Sequence, residues 1–213
     1  MSYSVKEIYY TLQGEGAQAS RPAVFCRFAG CNLWSGREAD RPTAACRFCD
    51  TDFVGINGPG GGKFQNPMDL AEAVRDKFPA GVSKKVRPFV VCTGGEPLLQ
   101  LDKPLLDAFQ GLELEVAIET NGTLLPPAGI DWICVSPKAG VELKLKSGDE
   151  LKLVFPQEGM EPTVFESLDF KFFFLQPQDG PDIKKNIQEA IQYCLEHPKW
   201  RLSLQLHKII GIR

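Results

Sequence analysis

Three cysteines raise the first chemical question. Cys31, Cys46 and Cys49 form a C-x14-C-x2-C pattern, and the last runs directly into Asp50 and Thr51. A two-residue gap lets two thiolates converge on one metal centre, and a long loop can return a third. Three thiolates on a cubane iron–sulfur cluster leave one iron open, whereas a structural zinc ion takes a fourth protein ligand. His197 and His207 are the only histidines, and both are remote in sequence. Spacing alone leaves iron–sulfur and zinc ligation evenly weighted, with simple core packing well behind. The chain has seven cysteines in all. An odd number, with no basic segment leading into an apolar one at the start, argues against secretion and a disulfide framework. Cys26, Cys92 and Cys134 lie in apolar runs and Cys194 near a helical stripe, so these four read as core thiols.

Further polar groups fall where apolar runs end. The run Phe89 to Cys92 leads into Thr93-Gly94-Gly95-Glu96-Pro97. Two glycines there let backbone approach a ligand closely, and Glu96 is placed to accept hydrogen bonds from a cationic group. Ser136-Pro137-Lys138 follows the run Trp132 to Val135, and Gln176-Pro177-Gln178-Asp179 follows Phe170 to Leu175. Taken alone, Lys138 reads as a solvated cation, Pro177 as a strand terminator, Arg27 as one half of an internal ion pair, and Gly14-Glu15-Gly16 as a flexible turn.

The elements that must position these groups follow from periodicity. Ala23 to Phe28, Phe89 to Cys92, Val116 to Ile118, Trp132 to Val135, Leu151 to Phe155 and Phe170 to Leu175 are nearly all apolar, as expected of parallel strands buried on both faces. Phe172 to Phe174 therefore reads as sheet core rather than a platform for stacking bases. Leu202 to Leu206 alternates and reads as a strand with one polar face. Asn66 caps a helix with Pro67 in its first turn and Leu70, Val74 and Phe78 on one face. Pro97 starts a second helix towards Phe109, interrupted near Asp102 to Pro104. Asp182 caps a third, with Ile183, Ile187, Ile191 and Leu195 as its stripe. Gly58 to Gly62 reads as a flexible loop.

At 213 residues, 43% hydrophobic and 24% charged, the chain has globular composition and one core. A full eight-fold β/α barrel takes about 250 residues, and several connections, such as Glu119 to Trp132, are too short to hold a helix. The expectation is a single α/β domain with a curved, incompletely closed parallel sheet. Its longest apolar runs fall far short of the roughly 18–20 residues that cross a bilayer. Twenty-four basic against 27 acidic residues give a net charge of −3, so neither nucleic acid nor a membrane surface is an expected partner, and the expected location is cytoplasmic.

Taken in order, Thr11-Leu12-Gln13-Gly14-Glu15-Gly16, the cysteine motif, Thr93 to Pro97, Glu119-Thr120-Asn121-Gly122-Thr123, Ser136-Pro137-Lys138 and Gln176-Pro177 carry a resemblance that no one of them carries singly. The sequence resembles the radical S-adenosylmethionine (SAM) superfamily and, within it, the 7-carboxy-7-deazaguanine synthase family, over nearly the whole chain. The usual superfamily spacing is C-x3-C-x2-C. Here fourteen residues, Asn32 to Ala45, separate the first two cysteines, an expansion that some members of the synthase family carry.

The resemblance implies a reduced radical SAM barrel spanning residues 1–213, with an expanded cluster loop over about 31–49. It implies that Cys31, Cys46 and Cys49 hold a 4Fe-4S cluster whose open iron is chelated by SAM, and that one electron cleaves the sulfonium to methionine and a 5′-deoxyadenosyl radical. Phe48, Cys49, Asp50, Gly95, Ser136, Pro137, Lys138, Gln176, Pro177, Gln178 and Asp179 would border SAM. The implied substrate is 6-carboxy-5,6,7,8-tetrahydropterin, contracted to 7-carboxy-7-deazaguanine with loss of ammonia on the way to queuosine. Arg27 would meet its carboxylate and Glu15 its guanidine-like edge, with Leu12, Gln13, Gly14, Thr93 and the terminal Arg213 alongside. Thr51 matches the position that gives Mg2+ an oxygen, with substrate and water completing its shell. A one-electron donor such as flavodoxin and a homodimer are the implied partners. Two rival readings are an activase that makes a glycyl radical on a partner protein and a non-enzymatic zinc-binding module. The Gln13-Gly14-Glu15-Gly16 and Arg27 constellation favours a small anionic pterin over a peptide.

Overall fold

The computed structural model describes residues 2–80 and 86–213. Among them nine strands form one sheet: β1 (Tyr3–Leu12), β2 (Pro22–Phe28), β3 (Gly62–Phe64), β4 (Phe89–Gly94), β5 (Glu115–Thr120), β6 (Trp132–Val135), β7 (Ser147–Phe155), β8 (Asp169–Pro177) and β9 (Trp200–Leu202). Their order is β3-β1-β2-β4-β5-β6-β7-β8-β9. From β2 to β9 every neighbouring pair is parallel, while β1 lies antiparallel to both β2 and β3. β3 and β9 are edges, so the barrel is open, as the short connections led one to expect.

Helices α1 (Pro67–Arg75), α2 (Lys103–Gly111) and α3 (Ile183–Glu196) cover the outside. Leu70, Ala71 and Val74 of α1 and Leu105, Leu106 and Phe109 of α2 pack on Val24, Cys26, Val90, Cys92, Val116 and Ile118. A second core joins Leu151, Leu153, Phe173 and Leu175 to Ala190 and Trp200. Between β5 and β6, and between β6 and β7, no α-helix intervenes. The inner face has an apolar floor of Phe25, Phe89, Val91 and Ala117. Two residues further along the same strands, on the same face, stand Arg27, Thr93 and Glu119. Register fixes this: Phe25 pairs with Val91 and Arg27 with Thr93, Val91 with Ala117, and Glu119 with Cys134. Parallel strands thus bury both faces, yet turn polar at their carboxyl ends.

Four expectations need correction. The sequence Leu202 to Leu206 is not one strand: β9 ends at Leu202, and Leu206 opens a short helix, α4 (Leu206–Ile210). The Leu206 amide is taken by the Gly14 carbonyl at 3.0 Å, so tertiary contact overrides the alternation. On α3, Asp182 makes no capping bond, the buried residues are Asn186 and Ala190, and Leu195 is 74% exposed; the buried stripe is rotated from the one the isoleucines suggested. Gly58 to Gly62 is docked on β1 rather than flexible, with the Gly58 amide on the Lys6 carbonyl. A Cβ at Gly61 would lie 2.2 Å from that oxygen. Finally, Glu96 is fully buried and its hydrogen bonds come from neutral groups rather than a cation: it accepts from the Leu98 and Asn121 amides and the Thr120 hydroxyl, at 2.8–2.9 Å.

Of the expected helix starts, the one at Asn66 holds and the one at Pro97 is displaced. Asn66 caps α1 through the Asp69 amide at 2.9 Å, and Pro97 opens only a 3-10 turn, Pro97–Leu99, before α2 restarts after Asp102. Asp102 Oδ1 serves twice, accepting from the Leu105 amide at 3.0 Å and from the buried Tyr3 hydroxyl at 2.8 Å. Asp102→Ala removes the cap and strands the phenol, and is expected to cost about 2–3 kcal/mol of stability. Asp102→Asn keeps the oxygen and should lose well under half of that. Urea unfolding of the two variants beside the parent checks both values.

Candidate active site

The fourteen-residue insertion is closed at its base. Leu33 O accepts from the amides of Ala45 and Cys46 at 3.1 and 3.4 Å, so the intervening chain, with a 3-10 turn at Glu38–Thr43, loops outward and returns Cys46 towards Cys31. The Cys46 and Cys49 thiols act on each other, and that interaction is the main influence pulling one below its ordinary value and pushing the other up. Burial raises Cys31. Cys31, Cys46 and Cys49 all border one cavity of about 460 Å³, within the range of small-molecule sites.

This donor set fits an iron–sulfur cluster better than zinc. Among the described residues no three His, Cys, Asp or Glu side chains are arranged to hold a single metal ion, whereas a cubane spreads its thiolates over separate irons. His197 stacks on Tyr193 of α3 at 4.0 Å, and His207 packs against Gly14.

Gly94 and Gly95 let β4 pass close to the start of the cysteine loop. A Cβ on Gly95 would sit 2.1 Å from Gly30 O and 2.8 Å from Cys31 Cβ. The close approach is thus to the protein's own cysteine loop, beside the cavity that Gly95 lines. Downstream, Asn121 and Thr123 reach the same loop through Asn32, at 3.0 and 2.8 Å.

Inside the cavity, Arg27 donates from Nε to Glu7 at 2.9 Å and from Nη2 to the Tyr9 hydroxyl at 3.0 Å. Two of a guanidinium's five N–H groups are spent and three remain. Arg213 reaches the other Glu7 oxygen, its guanidinium 4.9 Å from the Tyr9 ring centre, while Thr11 donates to its carbonyl at 2.8 Å. Thr93 donates to Glu119 at 3.0 Å, and Gln13 donates to the other oxygen at 3.1 Å.

Lys152, in the middle of β7, was not legible as a site residue. Its side chain is only 6% exposed, and it pairs with Glu15 directly and with Glu119 at 3.6 Å. Gln205 adds a bond to Glu15 at 3.0 Å. Burial works against the Glu15 charge, but Lys152 outweighs it and holds the carboxyl below its ordinary value. Burial alone would lower the Lys152 ammonium; Glu15 and Glu119 together carry it well above. Nearby Glu150, which accepts from the Ala17 amide at 2.7 Å, is pushed up by its own burial.

At the rim, Lys138 donates to Ser136 O and Oγ at 2.7 and 2.6 Å, and burial lowers its ammonium despite the facing Cys46. Lys208 of α4, another residue that spacing did not reveal, bridges Asp50 and Asp179 at 2.5 Å each. Leu12, Phe48, Thr51, Gln176, Pro177 and Gln178 complete the wall. Of the residues expected at the site, Pro137 alone stands outside the lining; it is buried, with its carbonyl towards Gln157 at 3.4 Å.

No family model matches the chain. It is 58% identical over 212 residues to the 7-carboxy-7-deazaguanine synthase of Caulobacter vibrioides and 60% identical over 212 residues to that of Bordetella pertussis, covering 100% of both chains in each case. The chain belongs to the 7-carboxy-7-deazaguanine synthase family. The crystal structure of QueE from Escherichia coli matches with a TM-score of 0.70 at 26% identity, covering 97% of this chain and 95% of that one. As a member of the 7-carboxy-7-deazaguanine synthase family the chain has an open, parallel-rich barrel, with the polar ends of its strands gathered around the cysteine loop.

Lys152→Met leaves Glu15 buried beside Glu119 without its cation. The expected cost at neutral pH is about 3–5 kcal/mol, with Glu15→Gln/Lys152→Met recovering a large part. Because Glu15 is held below its ordinary value, its contribution is complete above the ordinary carboxylate range and fades as pH falls through the native value. Unfolding measured at several pH values should therefore show the gap between parent and Lys152→Met narrowing on acidification.

Proposed function

We infer that the chain catalyses the radical SAM-dependent contraction of 6-carboxy-5,6,7,8-tetrahydropterin to 7-carboxy-7-deazaguanine, with loss of ammonia, as a step towards queuosine. The single observation that carries this reading is the meeting, in one cavity, of the three cysteines with Glu15, Arg27 and Thr93, in a chain of the synthase family. Cys31, Cys46 and Cys49 would hold the 4Fe-4S cluster. When bound, that cluster supplies the electron that makes SAM a hydrogen-atom abstractor.

The chain's own residues bind, orient and enclose. Glu15, kept ionised by Lys152, has two acceptor positions left after Lys152 and Gln205 for the amino and ring N–H groups of a pterin. The three free N–H groups of Arg27 suit the substrate carboxylate, and its bonds to Glu7 and Tyr9 fix the plane of the fork. Arg213 adds positive charge beside it, and Leu12, Gln13 and Gly14 form the adjoining wall. Thr93, with its proton given to Glu119, offers its oxygen as an acceptor. For SAM, Gly95 leaves room beside Cys31, while Phe48, Cys49, Asp50, Ser136, Lys138, Gln176, Gln178 and Asp179 line the mouth, with Pro137 and Pro177 stiffening two strand ends. α4 covers that mouth, tied by Lys208 to Asp50 and Asp179, which limits water at the reacting atoms.

Thr51 beside Cys49 would contribute one oxygen to Mg2+, with the remaining ligands from substrate and water. The chain would act in the cytoplasm as one domain over residues 1–213, take its electron from a donor such as flavodoxin, and pair as a homodimer.

Anaerobically reconstituted protein given reductant, SAM, Mg2+ and the carboxytetrahydropterin is expected to form the deazaguanine. Cleavage of SAM without that product would overturn the substrate and leave the superfamily. Arg27→Ala should raise the substrate KM at least tenfold, in line with losing a charge-assisted pair, with SAM binding unchanged. Cys49→Ala should lose the intact cluster, seen as loss of iron, sulfide and the visible absorption. Colourless parent protein with one zinc and no iron would refute the whole reading.

A further inference from the structure

The Asn32–Ala45 insertion brings one side chain back onto the cysteine turn. Arg41 donates from Nη1 to the carbonyls of Arg47 and Cys49, at 2.7 and 3.1 Å. Its other edge makes a two-pronged pair with Glu38, Nε at 2.7 Å and Nη2 at 2.6 Å. Its flat face lies 4.0 Å from the Trp34 ring centre. Trp34 is itself fixed: it is 7% exposed, donates from Nε1 to Arg37 O at 3.1 Å, and meets the buried Phe53 edge-on at 5.5 Å. Phe53 O in turn accepts from the Gly30 amide at 3.2 Å. Carbonyl, carboxylate and aromatic contacts thus hold one guanidinium against the Cys46–Cys49 turn, and through Phe53 the clamp reaches back to the residue before Cys31.

We propose that Arg41 is a positioning residue for the iron–sulfur centre, which grips the Cys46–Cys49 turn and whose positive charge makes the centre easier to reduce. Four of its N–H bonds and its ring contact leave it little rotational freedom, so the charge sits at a fixed place outside the turn. A lysine at this position would keep the charge and lose the fork and the stack. Glu38 is the counterweight: its side chain is 76% exposed, it touches the turn nowhere in the bonds described, and its negative charge offsets part of Arg41's. Cluster potentials follow net local charge and hydrogen bonding at the ligands. Removing the cation should therefore lower the potential, and removing the anion beside it should raise it. Sign, not only size, distinguishes this from a purely structural clamp.

The inference rests on Cys31, Cys46 and Cys49 holding the cluster. Its test is a redox titration of reconstituted holoenzyme, followed by electron paramagnetic resonance, for the parent, Arg41→Gln, Arg41→Lys and Glu38→Gln. Dithionite is the one-electron reductant; it is oxidised to sulfite, the cluster gains one electron, and no protein bond forms or breaks. Arg41→Gln is expected to weaken reduction on the order of tenfold, about 59 mV for a one-electron couple, with Arg41→Lys between it and the parent. Glu38→Gln should move the midpoint the opposite way at unchanged iron content. Equal midpoints in all four proteins, or a fall in cluster content with the remaining signal at the parent's midpoint, would overturn the proposal. Should Arg41→Gln not hold the cluster, the sign of the Glu38→Gln shift decides alone. A parent protein without iron or signal would instead refute the cysteine assignment beneath it.

Discussion

A lysine in the middle of a parallel strand must have its charge answered by the strands around it, and much of the cavity is arranged to answer Lys152. Born-type desolvation of an ammonium costs several kcal/mol even after relaxation. Along β7, Leu151 and Leu153 point to the outer core, and Glu150, whose own carboxyl is pushed up by burial, adds only a minor share. Compensation comes from Glu15, 137 positions away in sequence, and from Glu119 on β5. Glu15 can reach inward only because the β1–β2 connection folds over the barrel mouth, held by the Gly16 amide on Ser203 at 2.9 Å and the Ala17 amide on Glu150. Glu119 is shared in turn with Thr93 and Gln13. One buried cation therefore links β1, β4, β5, β7 and the segment after β9, and it keeps a carboxylate ionised where a guanidine-like ligand edge would lie.

The second constraint is geometric. Three thiols must face one space although fourteen residues separate the first two. A loop of that length closes at modest entropic cost if its ends are bonded, and the two amides on Leu33 O do that. With its own ends closing the loop, the middle of the insertion is available for other work. Trp34 turns inward to Phe53, while Arg41 turns onto the carbonyls of the cysteine turn.

What the sequence revealed, and what it hid, follows from how local each feature is. Asn66 with Pro67 was readable as a helix start because caps act over three or four residues, whereas Asp102, the cap of α2, showed in the sequence only as an interruption of a helix begun at Pro97. The parallel strands were readable because both faces are buried. β1 escaped because its alternation breaks at a bulge between Val5 and Glu7, which resets the period of two. Leu202 to Leu206 misled because the Gly14 carbonyl, far off in sequence, captures the amide that would have continued the strand. Lys152 was hidden inside Leu151 to Phe155, an apolar run in which one charge looks like noise. Arg27 and Glu15 acquired roles only through resemblance, because each alone fits an ion pair or a turn, and Arg27 does in fact make the ion pair.

These two readings of Arg27 are not in competition. A guanidinium with no partner in a half-buried cavity would rotate and bind water, and a carboxylate ligand would have to order it at an entropic cost. Glu7 and Tyr9 spend one edge of Arg27 to fix the other. Glu7 can do so without neutralising the site, since it also takes Arg213, leaving two cations over one anion at that wall. Glu15 follows the same logic with the sign reversed: Lys152 and Gln205 occupy part of the carboxylate and orient what remains. The open barrel therefore recognises through half-satisfied ions, each held by a partner that removes its freedom but not its capacity to bind.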